Sequence, residues 1–254
     1  MKEIFRIAFF IFKQGIREKV FIGLLFVFIF ILGVCVFLGK ISAGEEVRIL
    51  RNAGLVGIEF SGFLIILFFI THNFYQQKYT RILDLFLVGF KRRILLTGYF
   101  LGYLLILFFF LVFSFLIFSS ICLFYKAYYP GILVAGLFSF LRLSIMLSFC
   151  ILFSCFFESP IISFLSTLFL YIASEVSYSA SKIILTYGGA IQRMIVKALY
   201  RILPNMDKLN VKDLVSYGQY PTGEFLIYAL IYSFIYILFL FFLSLFIFEK
   251  KEYA

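Results

Sequence analysis

The sequence predicts an all-α integral membrane protein, and three observations indicate this fold class. Of the 254 residues, 64% are hydrophobic and only 14% are charged, whereas about 25% of the residues in a soluble domain are charged. The mean hydropathy is +1.09. Long apolar runs alternate with short polar connectors, and each run is close to the roughly 20 residues that a helix needs to cross a bilayer. We therefore expect a single transmembrane permease domain over residues 1–254.

Six apolar runs predict six transmembrane helices. An even number of spans places both termini on one side of the membrane, and cationic residues next to a span favour the cytoplasmic side. Lys91, Arg92 and Arg93 stand directly before the third run, so we expect both termini in the cytoplasm. The predicted spans are about 20–39, 53–71, 94–120, 132–157, 161–180 and 225–248.

Residues 1–19 predict an amphipathic helix at the membrane interface. At 100° per residue the charged side chains gather on one face and the apolar ones on the other, with Phe10 as the exception. A signal peptide is the alternative interpretation. The long amphipathic start and the lack of a clear cleavage site after Leu38 make it the weaker one.

The connector at 72–93 predicts a short cytoplasmic helix. Its polar residues recur at three- and four-residue steps, opposite an apolar side formed by Leu83, Phe86, Leu87 and Phe90. The polar side consists of Gln76, Gln77, Thr80, Arg81 and Asp84.

Two other connectors carry distinct signals. Glu158, Ser159 and Pro160 form a tight turn that either caps the fifth span or contacts a partner in the cytoplasm. In the long outer connector at 181–224, the pattern predicts an amphipathic surface helix over Ile191–Leu203 that ends before Pro204.

Three charged residues fall inside predicted spans, where exposure to lipid costs a few kcal/mol. Glu59 is either an interfacial acid within reach of water or a contact for substrate or a proton. Arg142 lies near the middle of the fourth span and needs a partner. Because consecutive spans alternate in direction, Glu175 reaches the same half of the membrane. We predict an Arg142–Glu175 pair, whose role is structural or, as the alternative, substrate-contacting.

Composition also argues against several classes of function. The net charge of +10 comes from connector cations beside apolar runs, which anionic lipids explain better than nucleic acid does. The four cysteines show no CxxC spacing, so neither a metal site nor a disulfide framework is indicated. The single histidine, His72, lies at a span end, and we interpret it as an interfacial residue. We expect no catalytic residue, cofactor or metal in this chain.

Several segments, in order, resemble one family. They are FKQGIREKVFIGLL at 12–25, GKISAGEEVRILRNAGL at 39–55, Leu203-Pro204-Asn205 followed by Leu209-Asn210, and FEKKEY at 248–253. Together they resemble the membrane subunit of type 2 ATP-binding-cassette exporters, particularly the six-span permeases grouped with copper-enzyme-maturation systems.

The resemblance assigns a role to the 72–93 connector. In such permeases it contacts the ATPase, and Thr80, Arg92 and the Gly98-to-Gly102 opening of the third span match the family pattern. The family's acid, Pro and Lys are replaced by Gln76 or Gln77, Gly89 and Tyr99. The residues that would couple to the ATPase are Gln76, Gln77, Thr80, Arg81, Asp84, Arg92 and Glu158.

The resemblance implies an exporter of a hydrophobic or amphipathic substrate in a bacterial inner membrane. It also implies two permease copies, with membrane lipid around them, bound to separate ATPase subunits that carry ATP and Mg²⁺. The sequence contains no Gly-x-x-x-x-Gly-Lys-[Ser/Thr] motif, so this chain lacks that phosphate-binding loop. The alternatives are a non-transporting membrane anchor or assembly factor and an intramembrane enzyme, which would need convergent catalytic groups.

Overall fold

The computed structural model describes residues 2–41, 45–79, 90–187 and 204–250, with side chains left undescribed at 176–187 and 207. Every regular element in these ranges is helical. The elements are α1 (Lys2–Arg17), α2 (Lys19–Ile41), α3 (Glu46–Leu64), a π-helical segment (Ile65–Ile70), α4 (Thr71–Tyr79), α5 (Arg92–Phe124), α6 (Gly131–Phe156), α7 (Pro160–Tyr187), a 3-10 helix (Met206–Leu209), α8 (Lys212–Ser216) and α9 (Gly223–Lys250).

Five helices in the described ranges are long and apolar enough to cross a membrane, which confirms an all-α protein of the multi-pass membrane class. They are α2, α5, α6, α9 and the continuous rod Glu46–Tyr79. The fifth predicted span corresponds to α7, whose apolar part is the shorter stretch Pro160–Glu175. The total of six spans stays a prediction.

The second long helix differs most from its predicted bounds. It begins at Glu46 and continues through the π-helical segment to Tyr79, over 34 residues. Residues 72–79, assigned from the sequence to a connector, contain no Gly or Pro that would end a helix. The helix therefore continues for about two polar turns past the end of the apolar run.

The π-helical segment is held by side chains from two helices. Thr71 donates a hydrogen bond to the Ile66 carbonyl over 3.3 Å, and the Cys150 thiol of α6 lies 3.8 Å from the same oxygen. Wide turns of this kind are rare and often occur at functional sites. This one lies between Glu59 and the end of the rod.

Helix α1 packs its apolar face onto α5, its main contact. Ile7 and Ile11 fit over Gly98 and Gly102, where an added Cβ would lie 2.6 Å from Ile7 Cγ2 and 2.8 Å from Ile11 Cβ. Small residues four apart allow two helices to approach closely. The two glycines therefore form the seat for α1.

The helices define two ends of one bundle. At the first, called the α1 end, Arg92 at the start of α5 donates to the Glu249 carbonyl of α9 over 2.8 Å, and Arg93 pairs with the Glu249 carboxylate. At the opposite end, the Arg51 guanidinium donates to the Ala127 carbonyl over 2.6 Å.

Candidate functional sites

Four charged side chains from four elements meet inside the bundle, in the half nearer the opposite end. Arg142 Nη1 lies 2.7 Å from Glu59 Oε1, and Arg142 also pairs with Glu175. Lys212 Nζ lies 2.7 Å from Glu59 Oε2. The cluster thus joins α3, α6, α7 and α8 and contains two acids and two bases.

Burial shows which of these charges depends most on its partners. The side chains of Glu59 and Arg142 are 2% and 3% exposed, whereas Lys212 is 12% and Glu175 33% exposed. Removing one partner of a buried ion pair costs about 3–5 kcal/mol because a charge is left uncompensated. Glu59 and Arg142 therefore depend on each other most strongly.

The sequence prediction for this region is partly confirmed. The Arg142–Glu175 contact is present as predicted. The expectation that Glu59 lies within reach of water is wrong, because its carboxylate is enclosed by protein and shared between two cations. Its place at a membrane interface stays a prediction. Lys212 was missed, since nothing in the polar run around it signals that the segment folds back onto the bundle.

An aromatic pair borders the cluster on the side of the α1 end. Phe63 lies one helical turn beyond Glu59, and Tyr171 lies one turn before Glu175. Their rings stack with centroids 3.8 Å apart and planes inclined by 19°. This stacked pair forms an apolar floor beneath the charges.

The opposite end is covered by residues 206–216, which we call the closing segment. Four of its apolar side chains, Met206, Leu209, Val211 and Val215, are at most 1% exposed, whereas Leu214 is 39% exposed. The sequence placed this stretch in a polar outer connector, yet these four apolar residues are packed against the bundle. The closing segment is therefore part of the folded core.

A polar network ties the α1 end together. The Asn73 amide donates to Glu18 over 2.8 Å, and its carbonyl oxygen accepts bonds from Gln77 at 2.8 Å and from the Tyr103 hydroxyl at 3.0 Å. Gln77 also donates to Gln14 over 3.3 Å. Asn73 and Gln77 are four residues apart on one helical face, so both point into the protein.

The predicted coupling residues fall into three groups. Gln76 and Glu158 are exposed at the α1 end. Gln77 is buried in the polar network, and Arg92 binds the end of α9, so both have partners within the chain. The remaining coupling residues, Thr80, Arg81 and Asp84, lie outside the described residues, as does the predicted surface helix at 191–203.

The two connectors that carry Gln76 and Glu158 meet at the α1 end. The Tyr75 hydroxyl donates to the Phe157 carbonyl over 2.9 Å, and the Tyr79 hydroxyl donates to the Glu158 carbonyl over 3.4 Å. The last turns of the long rod therefore rest on the turn between α6 and α7. These bonds create one continuous surface from two distant parts of the sequence.

In comparisons with known proteins, no family model and no curated protein matches this chain.

Proposed function

We propose that this chain is the membrane permease subunit of an ATP-binding-cassette exporter, driven by an ATPase on a separate chain. The exported substrate is hydrophobic or amphipathic. The observation that carries the proposal is the joined surface at the α1 end, where the long rod meets the turn between α6 and α7. In this assignment that surface faces the cytoplasm and receives the ATPase.

The geometry supports a mechanical role for this surface. The rod Glu46–Tyr79 is one continuous helical element, so displacement of its last turn moves Glu59 as well. The α6–α7 turn leads in the same way to Arg142 and Glu175. A partner that presses on both elements would therefore alter the relative positions of the charged groups inside the membrane.

The polar network at the α1 end supports the same role. Asn73 and Gln77 connect the rod to α1 and to the start of α2, and Tyr103 connects it to α5. Buried hydrogen-bonded networks rigidify the elements that they join. Motion imposed on the rod would reach α1, α2 and α5 as well.

A membrane anchor or assembly factor is the second candidate. A rigid helical bundle with a buried polar network would also serve that role. An anchor needs no response to nucleotide, whereas a permease requires one. Identification of the partner is the first step in separating the two.

Affinity purification in a mild detergent tests the proposal, with partners identified by mass. We expect an ATP-binding-cassette ATPase to copurify with the chain, and Glu158→Lys to reduce its recovery several-fold. Glu224→Lys is the matched control, because it makes the same charge change at the exposed start of α9, at the opposite end. Failure to recover an ATPase in several mild detergents, or equal loss in both variants, would contradict the proposal.

A further inference from the structure

The closing segment is anchored at the surface but reaches a buried charge. Lys212 extends from α8, on the surface of the bundle, to the Glu59 carboxylate over 2.7 Å. Next to it, Asp213 accepts a 3.5 Å hydrogen bond from Asn52 of α3, and Tyr217 accepts one from Arg48. Three side-chain contacts, two from the closing segment and one from Tyr217 directly after it, thus join this part of the chain to the rod.

Only one of these contacts enters the protein interior. Arg48 and Asp213 are exposed, whereas the Glu59 side chain is 2% exposed. Bonds between exposed groups contribute little because water replaces them readily. Of these three contacts, the Lys212–Glu59 pair is therefore the one expected to contribute most to docking.

Charge balance inside the bundle depends on this pair. With Lys212 in place, two cations face the carboxylates of Glu59 and Glu175. If the closing segment leaves, Arg142 alone faces both acids, and the buried Glu59 carboxylate loses one of its two cations. Removing a cation from a buried carboxylate is unfavourable, so docking of Lys212 favours the closed arrangement.

We propose that the closing segment is a gate at this end of the bundle and that the Lys212–Glu59 ion pair is its latch. The stacked Phe63–Tyr171 pair closes the opposite side of the cluster, so the charges lie between the closing segment on one side and the stacked aromatic pair on the other. The role as a transport gate rests on the proposed function. The latch itself is a property of this chain alone.

Thiol labelling of the purified chain in detergent tests the latch. Val215 is fully buried when the segment is docked, so Val215→Cys reports undocking through its reaction with a maleimide. Tyr220→Cys, at a position 56% exposed, gives the rate for an open site. The four native cysteines are buried, so their protection shows in each variant that the bundle remains folded.

We expect Val215→Cys to react far more slowly than Tyr220→Cys. Adding Lys212→Met or Glu59→Gln should raise the Val215→Cys labelling rate about tenfold or more. The buried thiol reacts with maleimide only when the segment is undocked, so the labelling rate follows the population of the undocked form. Lys212→Arg, which keeps the charge, should preserve protection. Lys208→Met removes an exposed cation from the same segment and should leave the rate unchanged.

Two results would overturn the proposal. One is rapid labelling of Val215→Cys in the otherwise unaltered chain, which would mean that the segment is not closed. The other is a Lys212→Met rate equal to that of Lys208→Met, which would mean that docking does not depend on the ion pair. Neither result depends on an ATPase, so a failure here is distinct from a failure to recover the partner.

Discussion

Arg142 is the residue on which the buried cluster depends most, because it contacts both acids. Replacement by leucine leaves Glu175 without this partner and leaves Glu59 with Lys212 alone. We predict that Arg142→Leu lowers the free energy of unfolding in detergent by about 3–5 kcal/mol. Glu175→Leu should cost about 1 kcal/mol or less, because its side chain is one-third exposed and solvent screens the pair.

A double-mutant cycle provides the control for this prediction. If Arg142 and Glu175 interact, the double variant should lose less stability than the sum of the two single variants. Additive losses would show that the contact contributes nothing to folding. Equal losses for the two single variants would contradict the ranking by burial.

At the residue scale, the sequence predicted a contact when both partners lay on consecutive spans. Arg142 and Glu175 were paired correctly because alternating helices bring their positions to the same depth. Lys212 could not be paired in this way. Its neighbours alternate between polar and apolar residues, and its position depends on burial of Val211 and Val215, which no local periodicity in so short a helix reveals.

At the scale of elements, the seat of α1 on α5 depends on two glycines. A methyl group at Gly98 would lie within 2.6 Å of Ile7, and overpacking of this kind costs about 1–3 kcal/mol. We predict that Gly98→Ala destabilises the protein by a net of up to about 2 kcal/mol, because about 1 kcal/mol of the overpacking cost is offset by the better helix propensity of alanine. Thermal unfolding in detergent measures the change.

Gly33→Ala is the matched control, since an added Cβ there has no neighbour within 4 Å. This variant should be neutral or more stable by up to about 1 kcal/mol. Similar destabilisation by both substitutions would show that glycine flexibility, rather than close packing of α1, explains the effect.

The end of the long rod shows what a periodic sequence pattern can and cannot predict. Apolar runs located the long helices, but the polar side chains of residues 72–79 suggested a separate surface helix. Asn73 and Gln77 instead face Glu18, Gln14 and Tyr103 within the protein. A polar face on a helix indicates only that polar partners are present, and those partners can be protein as well as water.

At the scale of the whole molecule, the apolar surface fits a lipid environment. Large side chains on α2, α7 and α9 remain exposed, including Phe30, Phe169 and Tyr228 at more than 70%. A soluble protein would not present so much apolar area to water. Composition was sufficient to predict this property, because it requires no knowledge of which helices contact each other.

The two ends of the molecule divide the proposed activity between them. The α1 end offers the joined surface of the rod and the α6–α7 turn, and the opposite end carries the closing segment. The rod runs from one end to the other and carries Glu59 between them. In the proposed exporter, nucleotide-driven motion at the α1 end would break the Lys212–Glu59 ion pair and release the closing segment at the opposite end.

Backbone hydrogen exchange on the chain purified with its ATPase tests the permease claim most directly. Exchange is compared between the nucleotide-free complex and the complex with a non-hydrolysable ATP analogue. We predict altered exchange at residues 71–79 and 157–159, since both elements form the surface that would receive the ATPase. Identical exchange in the two states, with the ATPase bound in each, would contradict a permease and favour an anchor.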